Sequence, residues 1–207
     1  MGQVSRQVVG AVALGVIMAV AGCNPAQTSQ TPETPKPVMA AVPDMRWGER
    51  AGSGEWTKAT LAALEAEGVT LLSTIPSDVA NFCPGYETLD RESRKHFWAG
   101  LLSALAKHES SFNPGAKGGG GRYLGLLQIS PRTAQSYNCN GTMLNGSNNM
   151  ACAVKIAARN VSRDNAIVGG SGGWRGIARD WMPLRSSSKR ADIATWTRQQ
   201  SYCNSKG

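Results

Sequence analysis

Glu109 stands four, seven and eleven residues after Leu105, Leu102 and Trp98. At about 3.6 residues per turn these offsets put the four side chains on one helical face, three of them apolar and the last a carboxyl. A carboxyl at the end of an apolar stripe is withdrawn from water. That disfavours its charged form and raises its pKa. A glutamic acid still holding its proton near neutral pH suits general-acid work of the kind that glycoside cleavage requires. The run Ser110, Ser111, Phe112, Asn113, Pro114 ends the helix and presents the carboxyl at a turn.

Other residues of chemical interest follow in order. Residues 125–129 read GLLQI, and Asn149 opens the string NMACAV. After Glu109 the next carboxylate is Asp164, then Asp180 and Asp192. A conventional glycosidase uses two carboxylates, so this distribution points to a mechanism with one. Asp180, beside Arg179 and Trp181, is the runner-up for a second; its competing role is an ion-pair partner of Arg179 or Arg185. His108 points about 100° away from Glu109 around the helix, toward a surface role. The four-glycine run at 118–121 lies between Lys117 and Arg122 and reads as a mobile loop beside a groove, or as plain slack. No Lys-Ser/Thr follows it, as a nucleotide-binding loop needs. Trp98 belongs to the core; Trp174 and Trp181 either pack there or stack on sugar rings.

Helical patterns must position these residues. Residues 57–67 form a helix stopped by Gly68. A short helical piece starts at Ser77 and Asp78. Asp90 caps the long helix that reaches Glu109. Ser130 and Pro131 open another helix. Residues 149–164 are periodic, and 174–181 and 190–202 supply the last helices. Strand signals are confined to 123–129. The expected fold is all-α with at most a minor hairpin, in one monomeric domain of 56–207, large enough to hold its own core.

The N-terminal quarter reads differently. Arg6 is the only charge in 1–22, and 8–20 is apolar or small throughout. The run is shorter than the ~20 residues a membrane helix needs, and fits a signal-peptide core. Val20, Ala21 and Gly22 lead directly into Cys23, which resembles a bacterial lipobox with a lipid on the Cys23 sulfur. Residues 23–55, rich in Pro, Thr and Gln at first, read as a linker in which Trp47 is a possible docking point. The chain is then exported and anchored in the cell envelope, at the outer membrane facing the periplasm. Cys83, Cys139, Cys152 and Cys203 remain, and four cysteines allow three connectivities. The preferred one pairs Cys139 with Cys152, closing a short loop, and Cys83 with Cys203. With no C-x-x-C pair, and with His96 and His108 far from the cysteines, no metal site is expected. The net charge of +8, or +7 without Arg6, draws an exported protein to anionic surfaces such as peptidoglycan. Nucleic acid is not an expected partner in that compartment.

Residues 109–114 (ESSFNP) and 125–129 (GLLQI) resemble, in order and spacing, the motifs E-S-x-F-x-P and G-L-M-Q-I of the soluble lytic transglycosylase (goose-type lysozyme-like) family, glycoside hydrolase family 23. Leu127 stands where that family has methionine, a tolerable apolar swap. Asn149 and the residues after it resemble the third motif, in which an asparagine opens a helix. The resemblance covers roughly residues 80–185. It implies a lysozyme-like domain that cleaves peptidoglycan strands between N-acetylmuramic acid and N-acetylglucosamine without a cofactor, giving a 1,6-anhydro product. Glu109 would be acid and then base. Ser110 would hydrogen-bond near the scissile sugar, Gln128 and the Leu127 backbone would line the groove, and Asn149 would shape its floor. The family's Y-N-x-G element is missing: 172–181 reads GGWRGIARDW, and no tyrosine lies between Tyr137 and Tyr202. Either Trp174 or Trp181 takes over the packing there, or Tyr123 or Tyr137 supplies the hydroxyl. Two alternatives stay open: a lysozyme-type hydrolase of the same fold, on modified glycan for instance, and a non-catalytic peptidoglycan-binding lipoprotein.

Overall fold

The computed structural model describes Gly2 and residues 43–170 and 172–204. Apart from Gly2, the expected signal segment, Cys23 and the expected linker as far as residue 42 lie outside the described residues. The order of elements is α1 (Ser53–Ala66), α2 (Val69–Ser73), α3 (Arg91–Ser110), β1 (Lys117–Gly118), β2 (Tyr123–Leu124), α4 (Pro131–Ser136), α5 (Gly146–Asp164), α6 (Ser187–Arg198) and α7 (Ser201–Asn204). Single 3₁₀ turns occur at Val79–Asn81, Tyr86–Thr88, Gly119–Gly121, Gly176–Arg179 and Met182–Arg185. The fold is a lysozyme-like helical one with one small antiparallel hairpin, in which Lys117 faces Leu124 and Gly118 faces Tyr123.

α3 is the axis. The Asp90 carboxylate accepts the Ser93 N–H at 2.7 Å and caps its start. Every residue from 97 to 106 is buried. The apolar stripe expected from Trp98, Leu102 and Leu105 is therefore only part of its contact surface, because α1, α2, α6 and α7 pack around it. Gly100 is required where α7 crosses: a Cβ there would collide with the Tyr202 hydroxyl. Burial of Phe97, Trp98, Leu101, Leu102 and Leu105, none more than 1% exposed, stabilises the domain by roughly 2 kcal/mol each.

Three expected boundaries move. The linker does not run to residue 55: Met45 and Trp47 are core residues. Trp47 stacks edge-on against Trp56 at 5.7 Å and its indole N–H donates to Thr57 Oγ1 at 3.0 Å. Next to it, the Arg46 N–H donates to Ser103 Oγ in the middle of α3 at 3.0 Å. The helix expected over 174–181 is a single turn, Gly176–Arg179, because Gly173 (φ 104°) and Gly176 (φ 52°) take left-handed backbone that no α-helix continues through. The helix expected over 190–202 begins earlier and divides into α6 and α7. The chain turns at 199–200, which lets Cys203 reach Cys83 in a disulfide; a second disulfide joins Cys139 and Cys152. The two bridges close loops with sequence separations of 120 and 13 residues, and the longer one removes more unfolded-state entropy.

The Trp47→Ala change, in a segment that composition alone would leave outside the domain, is expected to cost roughly 3–5 kcal/mol, as for other buried tryptophans. Urea unfolding of the two proteins measures this. A loss below about 1 kcal/mol would return the segment to the linker.

Candidate active site

Glu109 sits in the last turn of α3, one residue before the helix ends at Ser110. The chain leaves through two successive residues in left-handed backbone, Ser111 (φ 53°) and Phe112 (φ 65°). Neither is glycine, so the turn carries local strain that surrounding contacts must hold. One such contact is the Arg50 guanidinium, which covers the Phe112 ring at 4.5 Å. The segment 43–52 thus supports the turn after Glu109 as well as the core.

The GLLQI loop is clamped from three directions. Gly125 (φ 76°) and Gln128 (φ 47°) bend it back so that Leu124 and Ile129 exchange backbone hydrogen bonds at 3.1 and 3.0 Å. Gly125 has no substitute, since a Cβ would collide with the Met143 carbonyl and the Asn149 amide. From α3, Ser110 Oγ donates to the Leu126 carbonyl at 2.9 Å. From α5, the fully buried Asn149 accepts the Leu127 N–H with Oδ1 and donates with Nδ2 to the Leu124 and Met143 carbonyls, all at 2.9 Å. From the far side, the Trp181 indole N–H donates to the Leu127 carbonyl at 2.8 Å.

These bonds reassign several expected roles. Ser110 spends its hydroxyl on the loop and on the Ala106 carbonyl (3.3 Å), so it braces Glu109 from within the protein. Leu127 is fully buried with its N–H and carbonyl both engaged, and its backbone does not line the groove. Asn149 does not open a helix: α5 starts at Gly146 behind the Asn145 cap, and Asn149 lies inside it as the loop's anchor. Gln128 does line the groove, while its amide donates to the Gly125 carbonyl at 2.8 Å and the Ala116 carbonyl at 3.3 Å.

The groove itself encloses about 510 Å³. Glu109, Tyr123 and Gln128 share it with Trp181, Asp180 and Arg185. Trp174 is elsewhere, 45% exposed in a different cleft. Of the candidates for the missing aromatic, Trp181 lines the groove and is buried. Tyr123 contributes an exposed ring to the wall, and the Tyr137 hydroxyl faces Asn160 at 3.5 Å. Among the described residues no side chain hydrogen-bonds the Glu109 carboxyl. Burial pushes its pKa up to about 7, opposed in part by the positive charge of Lys189 on α6.

Asp180 also departs from expectation. Arg179 bonds Asp164 at 2.6 Å, and Arg185 bonds the carbonyls of Ala178 and Arg179. Asp180 instead accepts a hydrogen bond from the Asn160 amide and faces the groove. His108 is a structural residue, not a surface one: its Nε2 meets the Asp192 carboxylate at 2.6 Å with its side chain 15% exposed. Arg46 and Lys107 join the same carboxylate, and their charges hold Asp192 far below the usual carboxylate range. The shape of the groove wall at 179–185 is not legible in the sequence, because its turns are too short for periodicity. The only available signal was the cluster of Arg, Asp and Trp at 179–181. Among the described residues no group of three or more His, Cys, Asp or Glu stands close enough to hold a metal ion.

Residues 88–171 match the family described as Transglycosylase SLT domain. The solved structure titled "Bd0314 DslA wild-type form 2" is similar to this chain at 33% identity, covering 75% of this chain and 94% of its own, with a TM-score of 0.68. Two variants of that protein, each with glutamine in place of a different glutamate, match over the same shares. Their identities are 33% and 31%, and their TM-scores 0.68 and 0.67. No curated protein is similar enough to match.

Asn149→Ala leaves the Leu127 N–H unpaired in the interior and is expected to cost roughly 2–4 kcal/mol in urea unfolding. An unchanged midpoint would show that the loop holds without its anchor. The raised pKa of Glu109 has a separate signature. The folded chain holds this proton more tightly than the unfolded chain does, so stability falls as pH rises from about 4.5 through about 7. Glu109→Gln removes that loss. The variant should match the parent at pH 4 and exceed it by roughly 3 kcal/mol at pH 8, and equal stability at both pH values would contradict the raised pKa.

Proposed function

This chain belongs to the transglycosylase SLT domain family, peptidoglycan-cleaving enzymes of the lytic transglycosylase type, and on that premise we propose that Glu109 alone performs both proton transfers of strand cleavage. The protonated carboxyl donates to the glycosidic oxygen between N-acetylmuramic acid and N-acetylglucosamine as the bond from C1 to that oxygen breaks. The substrate's own N-acetyl group shields the positive charge developing at C1. The carboxylate then takes the proton of the 6-hydroxyl as that oxygen bonds to C1. Glu109 returns to its acid form, no water is consumed, and the product ends in a 1,6-anhydro ring.

The observation that carries this reading is a carboxyl held at a pKa of about 7 in a polar groove, with no other carboxylate between it and Asp164 in the chain. At that pKa a single group is populated in both forms near neutral pH, as a residue that alternates between acid and base requires. The lipobox-like Cys23 behind the apolar run 8–20 supports a further part of the proposal, that the enzyme works at the cell envelope on a lipid anchor. Asp180, in the same groove, supports a second reading in which it activates water and the product is hydrolysed.

Glu109→Gln should lower muropeptide release from purified sacculi by about 10²–10⁴-fold, the usual weight of a general acid. Full activity in the variant would remove Glu109 from the chemistry. Mass spectrometry of the parent's products should show 1,6-anhydro ends. Reducing ends, lost together with activity in Asp180→Asn, would establish the hydrolytic reading instead.

A further inference from the structure

A second cleft of about 580 Å³ opens between α6, the turn at Asn81 and Trp174, and it shares no lining residue with the catalytic groove. Ser187, Arg190, Ala191, Ala194 and Arg198 line it at offsets of 3, 4, 7 and 11 from the first, so one face of α6 forms its wall. The opposite side of the same helix carries Lys189 and Asp192, which serve the Glu109 region.

The chemistry of this cleft is specific. Trp47, Trp56, Trp98 and Trp181 are at most 5% exposed, whereas Trp174 is 45% exposed. The Arg190 guanidinium lies 5.9 Å from the Trp174 ring centroid. Arg190 is also fixed by the Leu184 carbonyl at 2.8 Å, and Arg198 by the Asn81 carbonyl at 3.0 Å. Neither arginine forms an ion pair among the described residues, so both forks keep free donors for a carboxylate. The lining carboxylate, Asp78, is turned away: its oxygens accept the N–H groups of Ile167, Val168 and Gly169 at 2.7, 2.8 and 3.0 Å. The Ser187 hydroxyl and the Asn81 side-chain amide make no hydrogen bond among the described residues and remain available to sugar or peptide groups.

We propose that this cleft is a second peptidoglycan-binding site, in which a sugar face stacks on Trp174 while Arg190 and Arg198 hold the carboxylates of the attached stem peptide. The proposal rests on peptidoglycan being the substrate. An indole plate beside two preset guanidinium forks matches a ligand that is apolar on one face and anionic along one edge. A membrane surface would need a convex apolar patch; this site is concave and polar. Its effect is avidity: a strand held here stays near the groove after one cut.

The test uses the full chain carrying Glu109→Gln, which binds without cutting, in co-sedimentation with purified sacculi. Trp174→Ala removes an exposed ring and leaves the fold intact; it should weaken binding about fivefold. Arg190→Ala with Arg198→Ala should weaken it about tenfold and flatten its salt dependence. With Glu109 intact, the double arginine variant should keep its turnover of a short soluble glycan while losing rate on sacculi. Unchanged sacculus binding in both variants overturns the proposal, as does a loss of binding to anionic lipid vesicles with none to sacculi. Muropeptide release by the parent, measured alongside, reports on the catalytic reading alone, so the two can fail separately.

Discussion

Everything at the groove depends on Asn149. A loop with two residues in left-handed backbone has few internal hydrogen bonds, and water would otherwise satisfy its N–H and carbonyl groups. Asn149 supplies a buried acceptor and two buried donors at 2.9 Å, and so allows the loop to sit against the protein. With the loop fixed, Ser110 has a carbonyl to bond, and that bond secures the final turn of α3. Trp181 completes the clamp from the opposite wall. The distance from Asn149 to Glu109 is thus spanned by hydrogen bonds between groups that cannot find alternatives in the interior. Each is worth about 1 kcal/mol net, and far more if its partner is removed.

Glu109 is the one group in this assembly whose environment works against its charged form. It ends a helix whose carbonyl dipoles already disfavour a negative charge there. Burial adds to that, and Lys189 takes back a part. The net cost above neutral pH is of order a few kcal/mol, which a domain with a wide apolar core and two disulfides tolerates. Lys189 belongs to α6, and Asp192, three residues on along that helix, ties it to Arg46, Lys107 and His108. The helix that carries the one opposing charge is thus anchored by an ionic cluster, and Arg46 of the segment before α1 is one of its parts.

How much of this was legible in the sequence follows from what each feature needs. Glu109, the long helix before it and the GLLQI loop are local patterns, and the structure places them together. The all-helical class follows from periodicity, and the disulfide-linked cysteines from their even number once Cys23 is set apart. Trp47 was hidden because a short segment rich in Gly, Arg and Glu has no period, although its two apolar side chains insert into the core. Ser110 and Asn149 stand out in the sequence, but their side chains bond backbone groups of the loop. Polar residues inside a motif look alike in sequence whether they bond a ligand or a backbone carbonyl sixteen or twenty-five residues away. Of the wall at 179–185 the sequence offers Asp180 and Trp181 as side chains but not the two single turns that place them.

α6 relates the two clefts mechanically. It is one uninterrupted helix, so Lys189 near the acid and Arg198 at the end of the second cleft lie about 14 Å apart along a common axis. Thr197 locks the helix to the Phe82 carbonyl at 2.7 Å, and the Cys83–Cys203 bridge fixes the chain just beyond its end. Neither face can shift without the other. A polymer held on one side is therefore presented to the groove at a set displacement, with no hinge to absorb slack. That rigidity has a cost for binding, because a strand must bend to the protein and not the reverse. It also has a gain: the entropy lost when the strand is captured in one cleft is not lost again when the next bond reaches Glu109.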